Sequence, residues 1–135
     1  MHFVDTNIFI RFLTKDDPKK SEACFNLFKK CKDGKLNLQT TESVIAEVVY
    51  VLMSPRLYNL KKPEIYELLL PILTINSLKI TSKSFIIKGL EMFAEKNIDF
   101  EDAILASCAL KSESGKVFSY DKDFDKINGI KRLEP

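Results

Sequence analysis

Residues 1–12 read MHFVDTNIFIRF, and the fold turns on how this stretch divides. His2-Phe3-Val4 is a short apolar run of the kind that forms a buried strand. Ile8, Phe9, Phe12 and Leu13 then recur at helical spacing. Asp5 stands at the junction, at the carboxyl end of the strand and just ahead of the helix. A carboxylate between two hydrophobic runs is costly to bury unless something pairs with it. The first question is therefore what Asp5 faces.

Working outward, the same alternation repeats. Strand-like runs fall at residues 36–39, 77–81, 116–120 and 130–133. Helical patterns cover residues 19–32, which follow the turn Asp16-Asp17-Pro18, and then about 41–53, 83–96 and 102–112. Thr40 or Thr41 is expected to cap the second of these. A further helix starts at Pro63, and Pro71 is expected to break or kink it. Residues 121–125 read as a turn with a short helix. Short strands alternating with one or two helices predict an α/β fold around a parallel sheet.

The chain has 135 residues, 45% of them hydrophobic and 30% charged, which suits one domain with a real core and argues against disorder. No run of about 18 apolar residues predicts a membrane span. No basic segment followed by an apolar one marks a signal peptide, so a cytoplasmic location is expected. Cys24, Cys31 and Cys108 form no CxxC pair, and His2 is the single histidine. That pattern disfavours zinc and a disulfide framework, and it predicts buried free thiols. The net charge of +2 and pI near 8.4 do not by themselves imply nucleic acid. The lysine runs at 19–20, 29–32 and 61–62 read as solvated faces.

Four acids have unusual surroundings. Asp5 ends the first strand. Glu47, in SVIAEVVYVL, lies on the edge of the apolar face made by Val44, Ile45, Val48, Val49, Val51 and Leu52. Asp102 sits near the start of a helix expected to be apolar nearly all round and deeply buried, with Asp99 three residues earlier as a candidate N-cap. Asp121 follows the fourth strand as Asp5 follows the first, with Asp123 two residues on. Taken singly, these acids also read as a surface residue, a capping box or an acidic turn. Taken together they favour the carboxyl edge of a parallel sheet, where ligands bind. Like charges about 4 Å apart cost on the order of 4 kcal/mol per pair at an effective dielectric near 20, so protons or a hard cation must neutralise such a group. Oxygen-only ligands suit Mg²⁺ or Mn²⁺. Carboxylate-held ions of this kind cut phosphodiesters by activating water and stabilising developing charge.

At these residues the chain resembles the PIN-domain ribonucleases, and more narrowly the small VapC-type toxins of bacterial and archaeal toxin–antitoxin pairs. The matching pieces are FVDTNIFI at 3–10, SVIAEVVYVL at 43–52, DFEDAILASCAL at 99–110 and FSYDKDFDKINGIKRL at 118–133. The resemblance implies a single PIN-like domain over residues 1–135, with a short central parallel sheet of about five strands sandwiched by α-helices. It implies a catalytic quartet of Asp5, Glu47, Asp102 and Asp121. Metal ligation falls to Asp5, Asp102 and Asp121, with Asp123 on a second ion directly or through water. Thr6 and Asn7 are expected to support Asp5 by hydrogen bonding. Ser119 stands where relatives often carry threonine, and Asp99 is a second-rank candidate. The implied activity is Mg²⁺- or Mn²⁺-dependent endoribonuclease action on RNA, with Arg11 and Lys15 among the basic residues rimming the groove. The implied partners are a second copy of the chain and a small antitoxin docking on apolar helices around 44–53 and 65–73.

Other readings stay open at this point. A binding module whose acids are structural caps predicts no metal dependence. An Asp-nucleophile phosphatase wants an acid two residues after the strand-end aspartate, where this chain has Asn7. A PIN nuclease outside toxin systems differs in its genetic neighbourhood, not in these residues.

Overall fold

Asp5 is exposed, so no burial cost arises at the strand–helix junction. The computed structural model describes all of residues 1–135, which form two compact units, Met1–Lys83 and Ser84–Pro135.

The first unit opens with β1 (His2–Phe3), α1 (Thr6–Thr14), α2 (Pro18–Lys32) and β2 (Leu38–Thr40). It continues with α3 (Glu42–Met53), α4 (Lys62–Leu73) and β3 (Leu78–Ile80). The three strands lie in the order β1-β2-β3, all parallel, with His2 opposite Leu38 and Leu38 opposite Leu78. Parallel neighbours need helical crossovers, which is why two helices separate each pair. β1 departs from expectation. Its two residues are exposed, Phe3 at 71%, and only Val4 turns inward. The Val4 N–H still donates to Gln39 O at 2.9 Å. The buried Thr40 hydroxyl donates to Val4 O at 2.7 Å. These bonds fix the chain immediately before Asp5.

Local chemistry sets the helix starts. Asp17 caps α2, accepting from the Lys20 N–H at 3.2 Å, with Pro18 in the first turn. Thr41 caps α3, which leaves Thr40 for its bond to β1. Glu64 accepts from the Lys61 N–H at 3.0 Å at the start of α4. Pro71 does not break that helix. It lies in the last turn, where the bond it forfeits is among the final ones. Phe9, Ile45, Leu52, Ile65, Leu69, Leu73 and Leu78 are fully buried. The Phe28 ring packs against Phe9 and Phe12, with centroids 5.3 and 5.1 Å away.

The second unit follows along α5 (Lys83–Lys96) and then comprises α6 (Phe100–Lys111), β4 (Lys116–Phe118), a 3-10 turn (Lys122–Lys126) and β5 (Lys131–Leu133). β4 and β5 pair in parallel, Lys116 opposite Lys131 and Phe118 opposite Leu133. Gly89 lets α5 approach α6 closely. A Cβ there would lie 3.0 Å from both the main-chain N and Cγ1 of Ile104. Gly115 has φ +60°, and a Cβ on it would meet Gly129 O at 2.5 Å, so only glycine fits.

Three expectations are corrected. The strands form a three-stranded sheet and a two-stranded sheet rather than one sheet of about five, because apolar runs do not specify which backbones pair. α6 is not buried all round. Phe100, Ala103, Ile104, Ala106 and Ser107 face inward, whereas Leu105 and Cys108 are exposed. So the three thiols are not all buried, although all are free. No helix is long and apolar enough to cross a membrane.

Candidate active site

In the first unit, Asp5 is the N-cap of α1, and its carboxylate accepts the Asn7 N–H at 3.1 Å. The next residue, Thr6, donates its hydroxyl to Glu47 Oε2 at 2.7 Å. Glu47 lies exposed on α3, which packs against α1. One dipeptide thus serves two acids, and Thr6 acts on Glu47 where support for Asp5 was expected. Arg11 is engaged at the surface. Its guanidinium pairs with Asp16 at 3.0 Å. Asp16 also accepts from the Tyr58 hydroxyl at 2.6 Å and from Thr14 at 3.1 Å. The Tyr58 bond, more than any other contact, holds the Asp16 carboxyl below its ordinary value. Lys15, in the left-handed region at φ 56°, ends α1 and is exposed.

In the second unit, Asp99 takes the N-cap position of α6, but its side chain makes no capping bond. Asp102, three residues on, is half-buried. The capping-box alternative therefore does not form, and the two carboxylates are left without that use. Burial pushes the Asp102 carboxyl above its ordinary value. The negative charges of Asp121, Asp99, Asp123 and Glu101, in that order, push it the same way. The first turn of α6 favours an anion, yet burial, with these repulsions, prevails.

Asp121 caps the 3-10 turn after β4, accepting from the Asp123 N–H at 2.9 Å. Its own N–H donates to Ser119 Oγ at 3.0 Å, so the serine hydroxyl supports this acid's main chain. The Asp123 carboxylate pairs with Lys126 at 2.9 Å. A further residue, absent from the sequence reading, holds this corner. The Arg132 guanidinium donates to Ser119 O at 3.1 Å and pairs with Asp125 and Glu134, each at 3.1 Å. Its signal in the sequence is that it is one of only three arginines among 21 basic residues. A planar fork spans several acceptors, as lysine cannot.

No group of three or more His, Cys, Asp or Glu side chains stands as a ready-made metal cage. The donor chemistry nevertheless fits a hard cation. The second unit gathers only carboxylate oxygens, they repel one another at Asp102, and no cation pairs with Asp102 or Asp121. Such a set suits Mg²⁺ or Mn²⁺ and offers zinc neither nitrogen nor sulfur.

The PIN domain family model matches residues 2–130. The VapC ribonuclease of Aquifex aeolicus (strain VF5) is 27% identical over 135 residues, spanning all of this chain and 97% of that protein. The chain belongs to the PIN domain family.

Proposed function

We propose that this chain is a Mg²⁺- or Mn²⁺-dependent endoribonuclease of the VapC type, the toxin of a toxin–antitoxin pair, acting in the cytoplasm. In this reading residues 1–135 make one PIN domain, Asp5, Glu47, Asp102 and Asp121 form its catalytic set, and Asp5, Asp102, Asp121 and Asp123 hold metal. The observation that carries it is Asp102, half-buried in the first turn of α6 within reach of the charges of Asp121, Asp99 and Asp123 and with no cation paired to it. The end-to-end likeness to a VapC ribonuclease supports the same reading.

A divalent ion bound by these oxygens supplies an acidified water and stabilises charge developing on the phosphate. The chain's own groups supply position. The Asn7 N–H fixes the Asp5 carboxylate. The Thr6 hydroxyl occupies Glu47 Oε2, which leaves Oε1 to accept a hydrogen bond from the attacking water. Ser119 and Arg132 hold the turn that presents Asp121.

Incubating the purified protein with total RNA tests this. Cutting is expected with Mg²⁺ or Mn²⁺, and it should stop with a chelator or in Asp5→Asn, whose melting should match the wild type. If Asp5→Asn cuts at the wild-type rate, the assignment fails.

The same reading carries two partners, a second copy of the chain and an antitoxin. The inner sides of the helices at 44–53 and 65–73 are spent on the core, with Ile45, Val48, Val49, Leu52, Ile65, Leu69 and Leu73 buried, so an antitoxin would have to use their outer sides. An open groove of about 580 Å³ in the first unit, walled in part by the 65–73 helix, suits an antitoxin. Phe12, Leu13, Phe25, Leu68 and Ile75 line it, and Lys15, Lys29 and Lys32 outnumber Asp33 and Glu67 at its edge. An amphipathic segment with acidic flanks complements it. Leu68→Asp should abolish capture of the antitoxin and leave RNA cutting intact.

A further inference from the structure

In the second unit, one face of the β4–β5 pair is open and carries a pattern that the catalytic reading does not use. Val117 is buried. Residues two apart on a strand share a face, so Lys116 and Phe118 point the other way. The register places Lys131 beside Lys116 and Leu133 beside Phe118. Phe118 is 69% exposed, and Tyr120, the residue before Asp121, is 71% exposed. Two large rings held open beside a hydrogen-bonded ladder are unusual, since aromatic side chains in strands normally pack inward. Two lysines thus stand side by side across the ladder, and like charges so placed repel. Neither makes an ion pair within the chain. The acids that end this corner, Asp125 and Glu134, are taken by Arg132.

We propose that this face is a binding platform for single-stranded RNA, in which unpaired bases stack on Phe118 and Tyr120 while Lys116 and Lys131 hold the backbone. The proposal rests on the ribonuclease reading above and adds the surface that delivers the strand to Asp121. Stacking rings joined to a cationic track are the two elements that sequence-tolerant single-strand binding needs. A duplex offers its phosphates but not its base faces. A second copy of the chain fits less well. Packing this face against the same face of another copy would bring four lysines together.

Fluorescence anisotropy with a labelled oligouridylate tests the platform, with a chelator present so that the strand stays whole. The double variant Phe118→Ala/Tyr120→Ala should bind about a hundredfold more weakly, roughly tenfold per ring. Phe118→Trp should restore affinity to that position, and RNA duplex binding should change little. Lys116→Gln/Lys131→Gln should flatten the salt dependence by about 1.4, two contacts at about 0.7 each. Wild-type affinity in the aromatic double variant overturns the proposal. So does a change of oligomeric state with RNA binding intact, which would assign the face to a second copy. A wild-type protein that binds through these rings but cuts no RNA sinks the nuclease reading and upholds the platform. One that cuts RNA equally well without the rings sinks the platform alone.

Discussion

The acids of the first unit and those of the second are in opposite electrostatic states. Asp5 and Glu47 each accept a hydrogen bond from the dipeptide Thr6-Asn7. Asp102 instead is partly buried and lies in the field of four other negative side chains. The first arrangement holds carboxylates in place at little cost. The second leaves one carboxyl raised by burial and by its neighbours' charge, a pattern that clusters at functional sites. The first unit therefore holds its acids by hydrogen bonds, whereas the second holds Asp102 where burial and neighbouring charge disfavour its ionised form.

The strongest way to break this contrast is to neutralise the crowded acid. Asp102→Asn should lower RNA cutting by about a thousandfold, the loss of several kcal/mol of metal-assisted stabilisation. It should also weaken the rise in melting temperature that Mg²⁺ confers on the wild type, read by calorimetry with and without the ion. Next comes the packing beneath that acid. Gly89→Ala gains about 1 kcal/mol of helix propensity but presses on the main chain of Ile104, two residues after Asp102. A net loss of about 1–2 kcal/mol is expected from overpacking, visible as a lower denaturant midpoint and reduced cutting. In the first unit, Thr6→Val removes the donor to Glu47, and cutting should fall about tenfold or less with Mg²⁺ affinity little changed.

The smallest effect separates the units by the sign of their pH response. The folded Asp102 carboxyl is raised, so its charged form costs stability at neutral pH, and that cost is relieved as pH falls through the folded value. The folded Asp16 carboxyl is lowered, so its contribution is present above the ordinary carboxylate range and is lost as pH falls through the folded value. Melting of the metal-free protein on acidification should therefore show a gain that Asp102→Asn removes and a loss that Tyr58→Phe reduces.

The helices were legible because their apolar residues recur every three or four positions and polar caps mark their starts. The expected helix over 83–96 matches α5, and Asp17-Pro18 marks the start of α2. The strands were harder to read. They are only two or three residues long, too short for a period of two to show, so neither the exposure of β1 nor the division into two sheets was visible. The acids stood out in the sequence because Asp5, Asp102 and Asp121 fall at element boundaries and Glu47 interrupts the apolar pattern inside α3. Their partners did not. The bonds from Thr6 to Glu47, Tyr58 to Asp16 and Arg132 to Ser119 join residues 41, 42 and 13 positions apart, and no local spacing encodes them.

The distribution of the thiols gives the molecule a built-in handle for spectroscopy. Burial raises the Cys24 and Cys31 thiols above their ordinary values, and a thiol held protonated reacts slowly. Cys108 is exposed on the helix that bears Asp102. A sparing dose of maleimide dye therefore marks one known position without mutagenesis, and the fluorophore sits six residues along the rod from the acid whose neutralisation it would report.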